Sequence, residues 1–148
     1  RDRLKSNPDK YLPVLVEEIL RLEGPVQGLF RETAKDIELH GVAIPKGSVI
    51  NVRYAAANLD DTMFETPEKL NLERENSRQH LAFGFGTHYC MGAPLARREI
   101  LLSFKVLLER IDEMWFLDGL NDFRHHPNFC LRALRELHIG FTRCKPSA

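Results

Sequence analysis

Residues 80–94 read His-Leu-Ala-Phe-Gly-Phe-Gly-Thr-His-Tyr-Cys-Met-Gly-Ala-Pro, a glycine-rich loop that delivers a cysteine to the start of a helix. Gly84, Gly86 and Gly92 permit positive φ and let backbone approach a flat ligand with no Cβ in the way. Cys90 stands just before the helix that Pro94 opens, where the helix dipole and unpaired N–H groups favour a thiolate. A thiolate is a metal ligand or a nucleophile. A buried, inert side chain is the commonest fate of a lone cysteine, but it needs neither three flanking glycines nor His88 two residues earlier. Zinc would require about four ligands with paired spacing, and His88 and Cys90 have no second pair elsewhere. A dinucleotide fingerprint fails because the run starting at Gly84 lacks the third glycine of G-x-G-x-x-G.

Phe83, Gly84, Gly86, His88, Cys90 and Gly92 together resemble the haem-binding loop of the cytochrome P450 family, haem-thiolate monooxygenases with a cysteine on the iron. The resemblance implies that Cys90 is the axial ligand of haem b (iron protoporphyrin IX), both metal-binding and catalytic, and that His88 reaches a haem propionate. The strand around residues 30–34 resembles the family strand whose arginine takes the other propionate, which places that role on Arg31. By the same analogy Gln27, Gly28 and Leu29, with Cys130 and Leu131 from the last segment, face the substrate. Glu18 and Arg21 supply the family's Glu-x-x-Arg pair, which locks structurally to a further arginine; Arg74 resembles it best and Arg78 competes. Without the resemblance, charges at i and i+3 are common on helices, and Glu17 with Arg21 is an equally ordinary surface pair worth about 0.2–0.5 kcal/mol.

Several elements must hold that loop. Leu12, Leu15, Ile19 and Leu22 form the stripe of an amphipathic helix over 8–23, ended by Gly24-Pro25. Residues 28–53 read as strands: Ile37, Leu39, Val42 and Ile44 alternate about His40-Gly41 as a hairpin, and residues 44–47 form a type I turn with Pro45 second and Gly47 fourth. Residues 60–79 are a polar, solvated meander, and 80–93 the cysteine loop. A long helix over 94–111 puts Ile100, Phe104, Leu107 and Ile111 on one core-facing stripe, widened by Leu101 and Leu108. Loose alternation from Phe129 to Phe141 predicts a terminal hairpin over 128–142. In order and kind these elements resemble the C-terminal, proximal part of the mainly α cytochrome P450 fold, an α+β fragment of long helices and small hairpins.

The chain has 148 residues, with 21 Lys and Arg against 21 Asp and Glu, so it offers no basic footprint for nucleic acid. Its uncharged run, residues 79–96, contains histidines, glycines and Pro94 and does not read as a membrane span. Cys90, Cys130 and Cys144 are an odd set with no C-x-x-C, which favours a reducing compartment and a cytoplasmic location. The opening Arg1-Asp2-Arg3 shows no leader and reads as the start of a fragment. Resemblance to soluble bacterial members implies a parent that inserts one atom of O2 into a small organic substrate. Electrons would come from a ferredoxin or flavodoxin type donor docking near Arg97 and Arg98, and the distal helix with its oxygen-activating residues would precede Arg1. Two other readings stand beside this one: a fragment without haem that self-associates through uncovered helix faces, and a thiol hydrolase or transferase using Cys90.

Overall fold

The computed structural model describes residues 1–144. Two helices form the frame: α2 (Pro8–Glu23), preceded by the short α1 (Asp2–Ser6), and α4 (Ala93–Arg110). Asn7 caps α2 by accepting the Lys10 N–H, and Pro8 occupies its first position, where a missing N–H costs nothing. The apolar centre is small: Val16, Leu20 and Ala82 are buried, with Phe83, Ile100 and Leu101 packed against them. The buried face of α2 is not the expected stripe. Leu12, Leu15, Val16 and Leu20 are buried together with the charged Glu17, Glu18 and Arg21, while Ile19 and Leu22 are only partly covered. The helix is enclosed on more than one side, so charge rather than apolar period lines part of its interior.

Strand β1 (Leu29–Glu32) pairs antiparallel with β4 (Val49–Val52), setting Arg31 opposite Ile50. Strands β2 (Ile37–Leu39) and β3 (Val42–Ile44) make a separate hairpin. Its turn residues His40 and Gly41 both have positive φ, at 49° and 78°, as a two-residue primed turn requires. The next turn lies one residue later than expected. The Ser48 N–H reaches the Pro45 carbonyl, so Gly47 is third rather than fourth, and its φ of 81° is the conformation a type II turn demands there. The short helix α3 (Tyr54–Ala57) leads into residues 60–79, which are less solvated than their composition indicates: Phe64, Arg74 and Ser77 are buried.

Two expectations at the C-terminal end are corrected. Helix α4 stops at Arg110, and Ile111 opens strand β5 (Ile111–Phe116), which pairs with β6 (Ile139–Arg143). No hairpin closes within 128–142: Leu131 instead bridges Val26, and Leu134 bridges His125. Ile111 satisfies both the 3.6 period of the helix before it and the alternation of the strand after it, so local pattern could not assign it. The expected core stripe of α4 is also largely uncovered, with Ile100, Phe104 and Leu108 partly buried and Leu107 exposed. Among the described residues α2 packs along this helix and β5 against its end, and Phe104, Leu107 and Leu108 line an open cavity with Leu4, Leu15, Met114 and Trp115 in place of a filled core.

Candidate functional site

The cysteine loop is built on short backbone bonds. Gly84 N–H reaches Leu81 O at 2.9 Å, a single 3-10 turn (Gly86–His88) follows, and Tyr89 N–H returns to Gly86 O at 3.0 Å. The Cys90 N–H then closes the loop on the Phe83 carbonyl at 3.0 Å, and the Cys90 carbonyl receives the Ala93 N–H at 3.2 Å as α4 begins. Gly84 and Gly86 have φ of 75° and 73°, which L side chains adopt only under strain. Gly92 differs from expectation: its φ is −79°, open to any residue, and a Cβ there would stand 3.7 Å from Cys90 Sγ. Its lack of a side chain keeps the surface beside the sulfur open rather than permitting a turn.

The sulfur is on that surface. Cys90 is exposed, as are His88, Phe85 and Met91, the last at 97%. Arg31 is exposed on β1 with one Nη bound to the Phe30 carbonyl at 2.9 Å. An open face with glycines at 84, 86 and 92, carrying a thiol, an imidazole and exposed apolar groups, with Arg31 exposed on β1, fits a large planar ligand with an acidic edge. It does not fit a cysteine hydrolase that draws on His80, because both nitrogens of His80 are engaged. Nε2 lies 3.1 Å from Glu17 Oε2, and Nδ1 accepts the Ala82 N–H at 3.1 Å.

Glu18, Arg21 and Arg74 do meet. Glu18 is wholly buried and accepts Arg21 Nε at 2.7 Å and Nη2 at 3.1 Å, and the Asn71 N–H at 2.9 Å. Arg74 Nε lies 3.0 Å from Glu18 Oε1 but is not aligned for a hydrogen bond, so this contact is coulombic. Both guanidinium groups stand over the Phe64 ring, at 5.1 and 5.8 Å from its centroid. Arg21 also donates to the carbonyls of Asn58, Pro67 and Lys69, and Arg74 to those of Glu65, Thr66 and Lys69. Burial alone would raise the Glu18 carboxyl, but the donors from Arg21 and Asn71, the charge of Arg21 and the close approach of Arg74 hold it below the ordinary range.

Arg78, the competing choice, points elsewhere, with Nε 3.4 Å from Glu17. Glu17 is itself the largest surprise, since the surface pair with Arg21 does not exist. Glu17 is 3% exposed and receives His80 and a two-pronged contact from Arg97, with Nε at 2.8 Å and Nη2 at 3.0 Å. Burial pushes its carboxyl up, and the hydrogen bonds from His80 and Arg97 outweigh this and bring it down to about 2. Arg97 is therefore not a free surface cation, whereas Arg98 is exposed. The sequence signal for Glu17 was its place between Val16 and Glu18 inside the helix's apolar run, and its partners lie 63 and 80 residues away.

Of the residues expected at the substrate, Gln27 and Cys130 come together through a 2.7 Å bond from Gln27 N–H to Cys130 O, and Leu29 and Leu131 are exposed. The Gln27 side chain is spent on the Gly24 carbonyl. Gly28 does not face open space: it is buried, and a Cβ would come 2.6 Å from the Val52 carbonyl, so its role is close approach of two strands.

Comparison with known proteins agrees with this geometry. The family model described as Cytochrome P450 matches residues 9–113. Cytochrome P450 CYP107DY1 of Priestia megaterium is 41% identical over 93% of this chain, and the polyketide biosynthesis cytochrome P450 PksS of Bacillus subtilis 36% identical over 96%. The chain spans about a third of those proteins, 33% and 35% of their lengths. Substrate-free CYP150A6 of Mycobacterium marinum superposes with a TM-score of 0.91 at 35% identity, over 97% of this chain and 37% of that one. P450BioI, solved in complex with an acyl carrier protein ligated to hexadec-9Z-enoic acid, gives 0.86 at 36% identity, over 95% and 35%.

Proposed function

The chain belongs to the cytochrome P450 family, and from that premise we propose that it forms the proximal wall of a haem-thiolate monooxygenase acting on a small organic substrate. The observation that carries the reading is Cys90: an exposed thiol on a glycine-lined surface, its N–H tied to Phe83 and its carbonyl to the first turn of α4. The family implies haem, which we take to be haem b. When bound, haem supplies the iron at which O2 is activated.

The chain's own residues hold and tune it. Cys90 would supply its thiolate to the iron, and the backbone bonds on either side of it hold the cysteine backbone in place. Phe83, Gly84, Gly86 and Gly92 would form the surface against the ring, and His88 and Arg31 would take its two carboxylates through charge-assisted bonds. Leu29 and Leu131 form an apolar margin toward the substrate. Arg98, exposed on α4, meets acidic groups of a ferredoxin or flavodoxin type electron donor; Arg97, held by Glu17, is withdrawn from that surface. The uncovered face of α4 is where the remaining two-thirds of a longer chain would pack. Among the described residues no helix is long and apolar enough to cross a membrane.

The test is a reduced carbon monoxide difference spectrum on the chain with haem supplied. A red-shifted Soret band that Cys90→Ser abolishes, with unchanged circular dichroism, supports the assignment. The same band surviving in Cys90→Ser, or no haem uptake by the folded chain, overturns it.

A further inference from the structure

We propose that Glu17, His80 and Arg97 form a second positioning node, separate from that of Glu18, Arg21 and Arg74, and that this node aims Cys90. The proposal rests on the reading of Cys90 as the haem ligand. His80 lies where the chain enters the cysteine loop and Arg97 on the helix by which it leaves, and both converge on one carboxylate of α2. The Ala82 N–H donates to His80 Nδ1, so the ring proton sits on Nε2 and is directed at Glu17. Both ends of the loop are thereby pinned to one buried point.

Arg97 also reaches into the loop. Its Nη1 donates to the Tyr89 hydroxyl at 2.9 Å, and its guanidinium lies 4.6 Å from the centroid of the Phe83 ring. Tyr89 immediately precedes Cys90, and Phe83 carries the carbonyl that accepts the Cys90 N–H. The two residues that set the cysteine backbone are thus the two that Arg97 touches. Glu17 and Glu18, successive on α2, point about 100° apart, and each serves a different segment. Glu18 binds Arg21 of its own helix and Asn71 and Arg74 of the meander, and Glu17 binds residues 80 and 97 around the loop. Arg78, largely exposed, adds a weaker charge to Glu17.

Peptide-resolved hydrogen exchange on the chain tests this with Glu17→Gln, Arg97→Lys, Tyr89→Phe and, as the counter-variant, Glu18→Gln. Glu17→Gln is expected to speed exchange in residues 83–92 by about tenfold while residues 65–76 keep their rate, and Glu18→Gln to do the reverse. Tyr89→Phe, which keeps the ring and loses one hydrogen bond, loosens residues 83–92 alone and by less. Uniform loosening of both segments by either glutamate variant, or unchanged exchange in 83–92 on losing Glu17, overturns the proposal. In the haem-loaded chain the Glu17→Gln thiolate Soret band broadens or shifts at unchanged haem content, and Arg97→Lys, which keeps the charge without the fork, shows a smaller change of the same kind; an unaltered band in both overturns the claim that the node aims Cys90. If the unsubstituted chain takes up no haem, the haem reading fails and with it the claim about aiming Cys90, while the exchange result still decides whether the node exists.

Discussion

Replacing Glu18 by glutamine keeps the shape of the side chain and removes the charge on which two buried guanidinium groups depend. In the native chain Glu18 and Arg21 have fully buried side chains, and Arg74 is 5% exposed, so solvent cannot replace the lost partner. Glutamine retains one acceptor oxygen where the carboxylate took Arg21 Nε and Nη2, Asn71 N–H and the charge of Arg74, and its amide turns N–H groups toward donors. Removing one member of a buried pair costs about 3–5 kcal/mol. That is a fifth or more of the roughly 5–15 kcal/mol by which a domain is stable. With a urea dependence of about 2 kcal/mol/M, the unfolding midpoint falls by roughly 2 M. The assay is urea unfolding followed by circular dichroism at neutral pH, with Arg124→Ala as the reference. Arg124 pairs with Asp122 at 2.7 Å in open solvent, and its loss should leave the midpoint unmoved. A Glu18→Gln midpoint no lower than that of Arg124→Ala would refute the reasoning, because the buried contacts would then carry no net stability.

Two further outcomes are expected. The Glu17 carboxyl falls from 4.5 unfolded to about 2 folded, a difference of about 3 kcal/mol, so its contribution is complete above 4.5 and is lost as pH falls toward about 2. Unfolding midpoints measured across that window should decline less steeply in Glu17→Gln than in the unsubstituted chain, and parallel slopes would count against the assignment. Gly86→Ala forces a side chain to a φ of 73° and should cost about 1–2 kcal/mol in a denaturation midpoint, whereas Gly92→Ala, at φ −79°, should leave the midpoint unchanged and weaken haem uptake in a titration.

What could be read from sequence was what is local. Cys90, its glycines and the helix start at Ala93 and Pro94 lie within one short run, so residue type and spacing carried them. The C-terminal end of α2 followed from Gly24-Pro25, and the β2–β3 hairpin from His40-Gly41. The partners of Glu17 were not legible, because nothing in an i, i+4 pattern announces an arginine 80 residues away. The pairing of β5 with β6 was missed for the same reason, since Phe116 finds Ile139 across a long connection. Phe64 was hidden in a polar run, although it is the single aromatic between residues 60 and 79 and lies beneath both arginines.

The buried charge is a consequence of the irregular backbone it supports. Residues 58–74 run without extended helix or strand, and a segment of that kind carries carbonyls that no ladder can satisfy. An apolar replacement for Arg21 would fill its volume and leave the Asn58, Pro67 and Lys69 carbonyls without donors. A guanidinium fork has five N–H groups in one plane, enough to serve three carbonyls and a carboxylate at once. Arg74 repeats the arrangement for Glu65, Thr66 and Lys69. Glu18 is then needed to neutralise two cations that the backbone cannot, which is why an acid stands fully buried on a helix that also buries Leu12, Leu15, Val16 and Leu20.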